Sequence, residues 1–101
     1  MAAALLTRQQ RRQTRIDALQ RLPLEPLEYC RRWLDHPENE RGWYKACTYE
    51  IARVTGAKQR TVESWGPDFE RCPETIKISL RKQDALNQMA RLLKKIEEIE
   101  E

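Results

Sequence analysis

Apolar residues recur at intervals of three and four along most of the chain, and no stretch alternates apolar with polar residues. The first pattern places side chains on one face of an α-helix, whereas alternation is typical of a half-buried strand. The predicted helices cover residues 7–22, 27–34, 48–54 and 58–65, followed by a long helix that begins at residues 73–74. We expect four aromatic side chains to lie in the core: Trp33, Trp43, Tyr44 and Tyr49. The predicted fold class is all-α, a small helical domain followed by a C-terminal amphipathic helix.

Two prolines and a change in charge divide the chain into three parts. Pro23 and Pro26 disfavour helical backbone in the residues that precede them, so the first predicted helix ends there. We assign residues 1–22 to a basic N-terminal helix or arm, residues 23–81 to the central domain, and residues 82–101 to the C-terminal amphipathic helix.

The middle of the central domain has the residues that two short crossing helices require. Ala52 is small where the second helix would cross the first, and Gly56 accepts the left-handed backbone of a tight turn. Val62 and Trp65 lie three residues apart on the inner face of the second helix. Ile51, on the first helix, completes the apolar core. The spacing predicts a helix-turn-helix.

This arrangement resembles the helix-turn-helix DNA-binding superfamily, most closely its phage-repressor/Cro-like branch. The resemblance covers residues 48–67 and is carried by Ala52, Gly56 and Val62, whereas residues 57–58 depart from the pattern. It implies that the second helix enters the major groove of double-stranded DNA, with its N-terminal residues toward the base edges.

The exposed positions of that second helix have side chains suited to reading bases. Arginine pairs with guanine through two hydrogen bonds, glutamine pairs with adenine, and glutamate accepts a hydrogen bond from cytosine. The predicted base-contacting residues are Lys58, Gln59, Arg60, Glu63 and Ser64. Thr61, together with Lys58, is also suited to contacts with phosphate, which position the protein without reading sequence.

The basic N-terminal segment predicts a second contact with the DNA backbone. Four arginines are expected to follow the phosphates or the minor groove: Arg8, Arg11, Arg12 and Arg15. The alternative is an amphipathic helix that packs through Ile16, Leu19 and Leu22 and leaves its arginines in solvent. Both interpretations stay open at this point.

The C-terminal helix has apolar residues at heptad spacing. They are predicted to form a dimerisation surface: Met89, Leu92, Ile96 and Ile99. A homodimer would have the two-fold symmetry of palindromic DNA, with half-sites about 34 Å apart. The alternative is that this surface folds back on the chain's own domain.

Composition and charge are compatible with a nucleic-acid partner but do not require one. The chain has 19 Lys and Arg against 16 Asp and Glu, a net charge of +3, and the basic excess lies in the first third. The three cysteines have no zinc-ligand spacing, and no phosphate-binding glycine loop or serine elbow is present. We therefore predict no enzymatic activity, no metal or cofactor, and no small-molecule substrate.

The sequence predicts a cytoplasmic protein without a membrane partner. No segment has the length of a signal or membrane-spanning sequence, and the odd number of cysteines favours reduced thiols. The predicted function is sequence-specific DNA binding, as in a small prokaryotic transcriptional regulator or an accessory protein of a mobile element. The alternative is an adaptor that binds another protein through its helical surface, with the C-terminal helix as the contact.

Overall fold

All regular secondary structure in the described part of the chain is helical. The computed structural model describes residues 7–12 and 22–100. Residues 22–100 form helices α1 (Pro26–Trp33), α2 (Trp43–Thr55), α3 (Gln59–Glu63) and α4 (Glu74–Glu100). Helix α2 contacts the other three and α1 also contacts α4, whereas α3 contacts α2 alone among these helices. The all-α fold class is confirmed.

The N-terminal stretch is helical over residues 8–12 and begins with a capping box. The backbone N–H of Thr7 donates to Oε1 of Gln10 (2.9 Å), and the backbone N–H of Gln10 donates to the Thr7 hydroxyl (3.1 Å). The first N–H groups of a helix have no partner within it, so this reciprocal pair fixes where the helix starts.

The core lies where α1, α2, the start of α4 and the loop after α3 meet. Its buried apolar residues are Leu24, Tyr29, Cys30, Cys47, Ile51, Val62, Trp65, Phe69, Cys72 and Leu80. Full burial of a side chain of this size stabilises the fold by about 1.5–3 kcal/mol. Val62 of α3 and Trp65, two residues past its end, belong to this core, so the short helix α3 is held by burial of apolar side chains rather than by its own length.

The aromatic residues are less buried than predicted. Trp33 and Trp43 are half-buried, whereas Tyr44 is 37% exposed and lies outside the core, contrary to the prediction. Tyr49 is 64% exposed, so its predicted place in the core is wrong. It lies on the outer side of α2, where no other described element covers it.

Two helix boundaries differ from the prediction. Helix α2 begins at Trp43 rather than at residue 48, because Gly42 adopts a left-handed backbone (φ +92°) immediately before the helix and does not interrupt it. Helix α3 ends at Glu63, since the next residues form turns that bring Trp65 into the core. The predicted break is at the right place: Gly56 has φ +79° and its N–H donates to the Ala52 carbonyl (3.0 Å).

Helix α4 is continuous across the predicted boundary between residues 81 and 82, and a buried carboxylate joins its first half to α1. Asp84 is 2% exposed. It accepts hydrogen bonds from Trp33 Nε1 (2.8 Å), Gln88 Nε2 (2.9 Å) and Arg32 Nη1 (3.3 Å). One helical turn past Gln88, the Arg91 guanidinium lies 4.3 Å from the centre of the Trp33 ring. Hydrogen bonds and a cation–π contact therefore hold α4 against α1.

The second half of α4 leaves its apolar side chains uncovered by the rest of the described chain. The exposed side chains, hereafter the apolar stripe, are Leu86, Met89, Leu92, Leu93, Ile96 and Ile99. Their exposed fractions run from 44% at Ile96 to 83% at Ile99. In the described residues, the stripe does not fold back on the chain's own domain.

Candidate nucleic-acid interface

The N-terminal end of α3 is attached to the first half of α2 through side chains. Gln59 Nε2 donates to the Thr48 hydroxyl (3.2 Å), and that hydroxyl donates to the carbonyl of Lys45 (2.8 Å). Gln59 is half-buried by this contact. The amide that sequence reasoning assigned to base contact is thus engaged in holding the two helices together.

The C-terminal end of α3 is held through backbone carbonyls. The Tyr44 hydroxyl lies 3.3 Å from the carbonyl oxygens of both Glu63 and Gly66 and donates to them. The Arg71 guanidinium donates to the Ser64 carbonyl through Nε (3.2 Å) and Nη2 (2.8 Å). A cation at this end also offsets the negative pole of the helix dipole.

The loop that follows α3 contains the one non-glycine residue of positive φ in the described chain, Phe69 (φ +57°). This conformation buries the Phe69 ring completely and stacks it on Tyr44, with ring centroids 5.4 Å apart and planes at 21°. Burial raises the pKa of Tyr44, and the carboxylates of Glu63 and Glu70 add to the effect. The Tyr44 hydroxyl therefore stays protonated, as its donor role requires.

Most of the predicted base-contacting residues are on one exposed surface. Lys58, Arg60, Glu63 and Ser64 are exposed, as is Thr61. Among the described residues, the side chains of Lys58, Arg60 and Glu63 make no hydrogen bond or ion pair. The Ser64 hydroxyl donates to the Thr61 carbonyl (2.5 Å), so it is partly satisfied within the protein.

The predicted motif core is mostly buried. Ile51 and Val62 are completely buried and Trp65 nearly so, whereas Ala52 is half-buried. Gly56 is exposed, and a Cβ at this position would meet nothing within 4 Å. Its role is therefore in the backbone conformation of the turn and not in packing.

Two side chains on α2 extend this surface, and sequence reasoning did not assign them to it. The bonds from Gln59 to Thr48 and from Thr48 to the Lys45 carbonyl place this part of α2 beside the start of α3. Lys45 and Tyr49 flank Thr48 on the outer side of α2, and both are exposed. A pattern of polarity alone could not assign them, because only the packing of α2 against α3 brings Thr48 to Gln59.

The arginines predicted to follow the DNA backbone are only partly within the described residues. Arg8, Arg11 and Arg12 are exposed on the helix of residues 8–12. Arg15 lies outside the described residues, as do Ile16 and Leu19 of the alternative packing, while Leu22 is 50% exposed.

The cysteines are buried and unpaired by disulfides. A hydrogen bond with the Cys47 thiol, together with burial, raises the pKa of Cys30, and burial raises the pKa of Cys72 to about 11. At neutral pH Cys30 and Cys72 are therefore protonated, the form that is neither nucleophile nor metal ligand. In the described ranges, no three His, Cys, Asp or Glu side chains are grouped to hold a metal ion.

None of the described helices is both long and apolar enough to cross a membrane.

Comparison of the chain with protein-family models, with curated proteins and with solved structures gives no match.

Proposed function

We propose that this chain is a sequence-specific DNA-binding protein that places α3 in the major groove, in the manner of a small prokaryotic transcriptional regulator or a mobile-element accessory protein. The observation that carries the proposal is the exposure of the Arg60 side chain. Its guanidinium is exposed and without a partner among the described residues, on a helix that packs against α2 alone. A guanidinium held in this way is available for two parallel hydrogen bonds to guanine.

The neighbouring side chains are suited to two kinds of contact, one with bases and one with phosphates. Arg60 and Glu63 are exposed groups that can distinguish bases, whereas Lys58 and Lys45 are exposed cations suited to contacts with phosphate. Gln59 has a different role from that expected of a base-reading glutamine, because its amide nitrogen donates to Thr48. Its amide oxygen remains available to accept a hydrogen bond.

The test begins with selection of binding sites from random duplexes by the full chain. Binding to the selected site is then measured by fluorescence anisotropy for the wild type, Arg60→Gln and Lys82→Gln. The last variant removes one exposed positive charge from α4 and serves as the charge-matched control. We expect Arg60→Gln to bind the selected site about 10- to 100-fold more weakly and to lose discrimination at one base pair. Lys82→Gln should change the affinity less than threefold.

Salt dependence separates base contacts from phosphate contacts. Between about 50 and 200 mM salt the wild-type affinity should fall steeply, because each neutralised phosphate releases counterions. Lys58→Gln should weaken binding to selected and unrelated duplexes alike, and should reduce the salt slope by about one. The proposal is wrong if the wild type binds its selected duplex no better than an unrelated one, or if Arg60→Gln binds the selected duplex as the wild type does.

A further inference from the structure

The two faces of α4 have different environments. Leu80 and Asp84 are buried in the domain, and the Asn87 amide donates to the Tyr29 hydroxyl (3.2 Å). These residues follow each other at intervals of four and three, so they form one face of the helix. The domain is therefore attached to α4 through this face.

The apolar stripe lies on the opposite face. Met89, Leu93 and Ile96 each follow one of the core-facing residues by nine positions, which is about two and a half turns at 3.6 residues per turn. A residue half a turn away points in the opposite direction. The domain in contact with Leu80, Asp84 and Asn87 therefore cannot cover the stripe without releasing that contact.

The stripe is large enough to be an interface. Its six side chains are each about half exposed or more, which amounts to on the order of 600 Å² of apolar surface per chain, or about 1,200 Å² for two chains. That total is at the lower end of specific protein interfaces, and exposed apolar patches of this size mark interaction sites on proteins in water.

The spacing and charge of the stripe fit a copy of itself. Met89, Leu92, Ile96 and Ile99 are spaced three, four and three apart, a pattern that is the same in both chain directions and that pairs in coiled coils. Basic residues Arg91, Lys94 and Lys95 precede the acidic end at residues 97–101. In an antiparallel pair the two acidic ends would lie at opposite ends of the interface. Arg91 and Lys94 follow Asp84 and Asn87 by about two turns, so they lie on the domain-facing side of α4 and do not interrupt the stripe.

We propose that a second copy of this chain covers the apolar stripe, and that the protein is a homodimer joined through the second half of α4. The two domains then lie on the outer sides of the helix pair, where the Asp84 face holds each of them. The surface around Arg60 is not part of this contact, so the proposal does not rest on DNA binding.

The test is the molar mass of the full chain without DNA, measured by sedimentation equilibrium over about 1–200 μM, a range that covers micromolar association. We expect twice the mass of one chain for the wild type. Leu92→Glu with Ile96→Glu should weaken self-association at least about 100-fold, because carboxylates would have to be buried. Leu22→Glu places one such carboxylate on a half-exposed leucine outside the stripe and should remain dimeric.

Two results would overturn the proposal: a wild type of single-chain mass at about 200 μM, or a Leu92→Glu, Ile96→Glu variant that keeps the dimer mass. If circular dichroism shows that this variant has lost its helix, Leu92→Ala with Ile96→Ala decides the question. Alanine preserves helix propensity while removing apolar surface. A dimer mass unchanged by the alanine pair would then contradict the proposal. Failure of Arg60→Gln to affect DNA binding would leave these masses unaltered, so the two proposals fail separately.

Discussion

Replacement of Asp84 by alanine should destabilise the domain by about 3 kcal/mol. The carboxylate is 2% exposed and accepts hydrogen bonds from Trp33 and Gln88 at 2.8 and 2.9 Å. Each hydrogen bond to a buried charged group contributes about 1.5–3 kcal/mol. The ion pair with Arg32 adds little, because that side chain is 39% exposed and water can solvate it when the carboxylate is removed.

The assay is urea unfolding, monitored by circular dichroism and tryptophan fluorescence. A loss of about 3 kcal/mol is a large part of the ~5–15 kcal/mol of an ordinary domain, and it corresponds to a fall of about 15 °C in Tm for a domain of this size. The matched control is Asp35→Ala, which removes an exposed carboxylate and should change stability by less than about 0.5 kcal/mol. If the slope of the unfolding free energy against urea concentration is the same in variant and wild type, the substitution has changed stability and not the surface exposed on unfolding.

A double-mutant cycle tests the mechanism and not only the magnitude. Trp33→Phe removes the indole N–H while keeping an aromatic ring, so its effect should shrink by at least about 1 kcal/mol when Asp84 is already alanine. Additive effects of the two substitutions would refute the reasoning that this hydrogen bond joins α1 to α4. So would an Asp84→Ala variant as stable as the wild type.

Two further predictions concern the turn between α2 and α3 and the pH dependence of stability. Gly56→Ala should lower the free energy of unfolding in urea by about 1 kcal/mol, because a φ of +79° strains a residue that has a Cβ even where space is free. Gly56→Asn should lower it less, since asparagine tolerates this backbone conformation better. Equal stability of the wild type and both variants would contradict this reasoning. Burial raises the pKa of Tyr29 from 10 to about 12, so the folded state retains a proton that the unfolded state releases. This group should thus leave the free energy of unfolding unchanged below pH 10 and lower it by about 3 kcal/mol between pH 10 and 12. The fall should be shallower in Tyr29→Phe, which keeps the contributions of Cys30, Cys72 and Tyr44. The same slope in both proteins would exclude Tyr29 as its source.

The turn between α2 and α3 could be predicted because its requirements are local. The turn requires a residue that accepts a positive φ, which Gly56 does. The inner faces of the two helices require apolar residues at helical spacing, which include Ile51 and Val62. These signals are contained in a few consecutive residues, and the structure places the turn where they indicate. The exposed position of Arg60 follows from the same periodicity.

The face of α4 that packs on the domain could not be predicted in this way. Hydropathy favours the stripe around Leu92, which is exposed in the described chain, over the face that contains Asp84 and Asn87. Both of those polar side chains have hydrogen-bond partners on α1, which offset the cost of burying them. The spacing of apolar residues in the sequence gives no information about such partners. The buried position of Phe69 was not predicted for a related reason, since no sequence pattern indicates a positive φ at a bulky residue.

The way α3 is held has a consequence for how its exposed surface can change. At its C-terminal end the bonds from Tyr44 and Arg71 go to carbonyl oxygens, which every amino acid has. Positions 60 and 63 can therefore be exchanged without removing any described contact that docks the helix. A library randomised at these two positions, with Gln59 kept for its bond to Thr48, should yield folded variants at high frequency. The same scaffold would then support many different recognition surfaces.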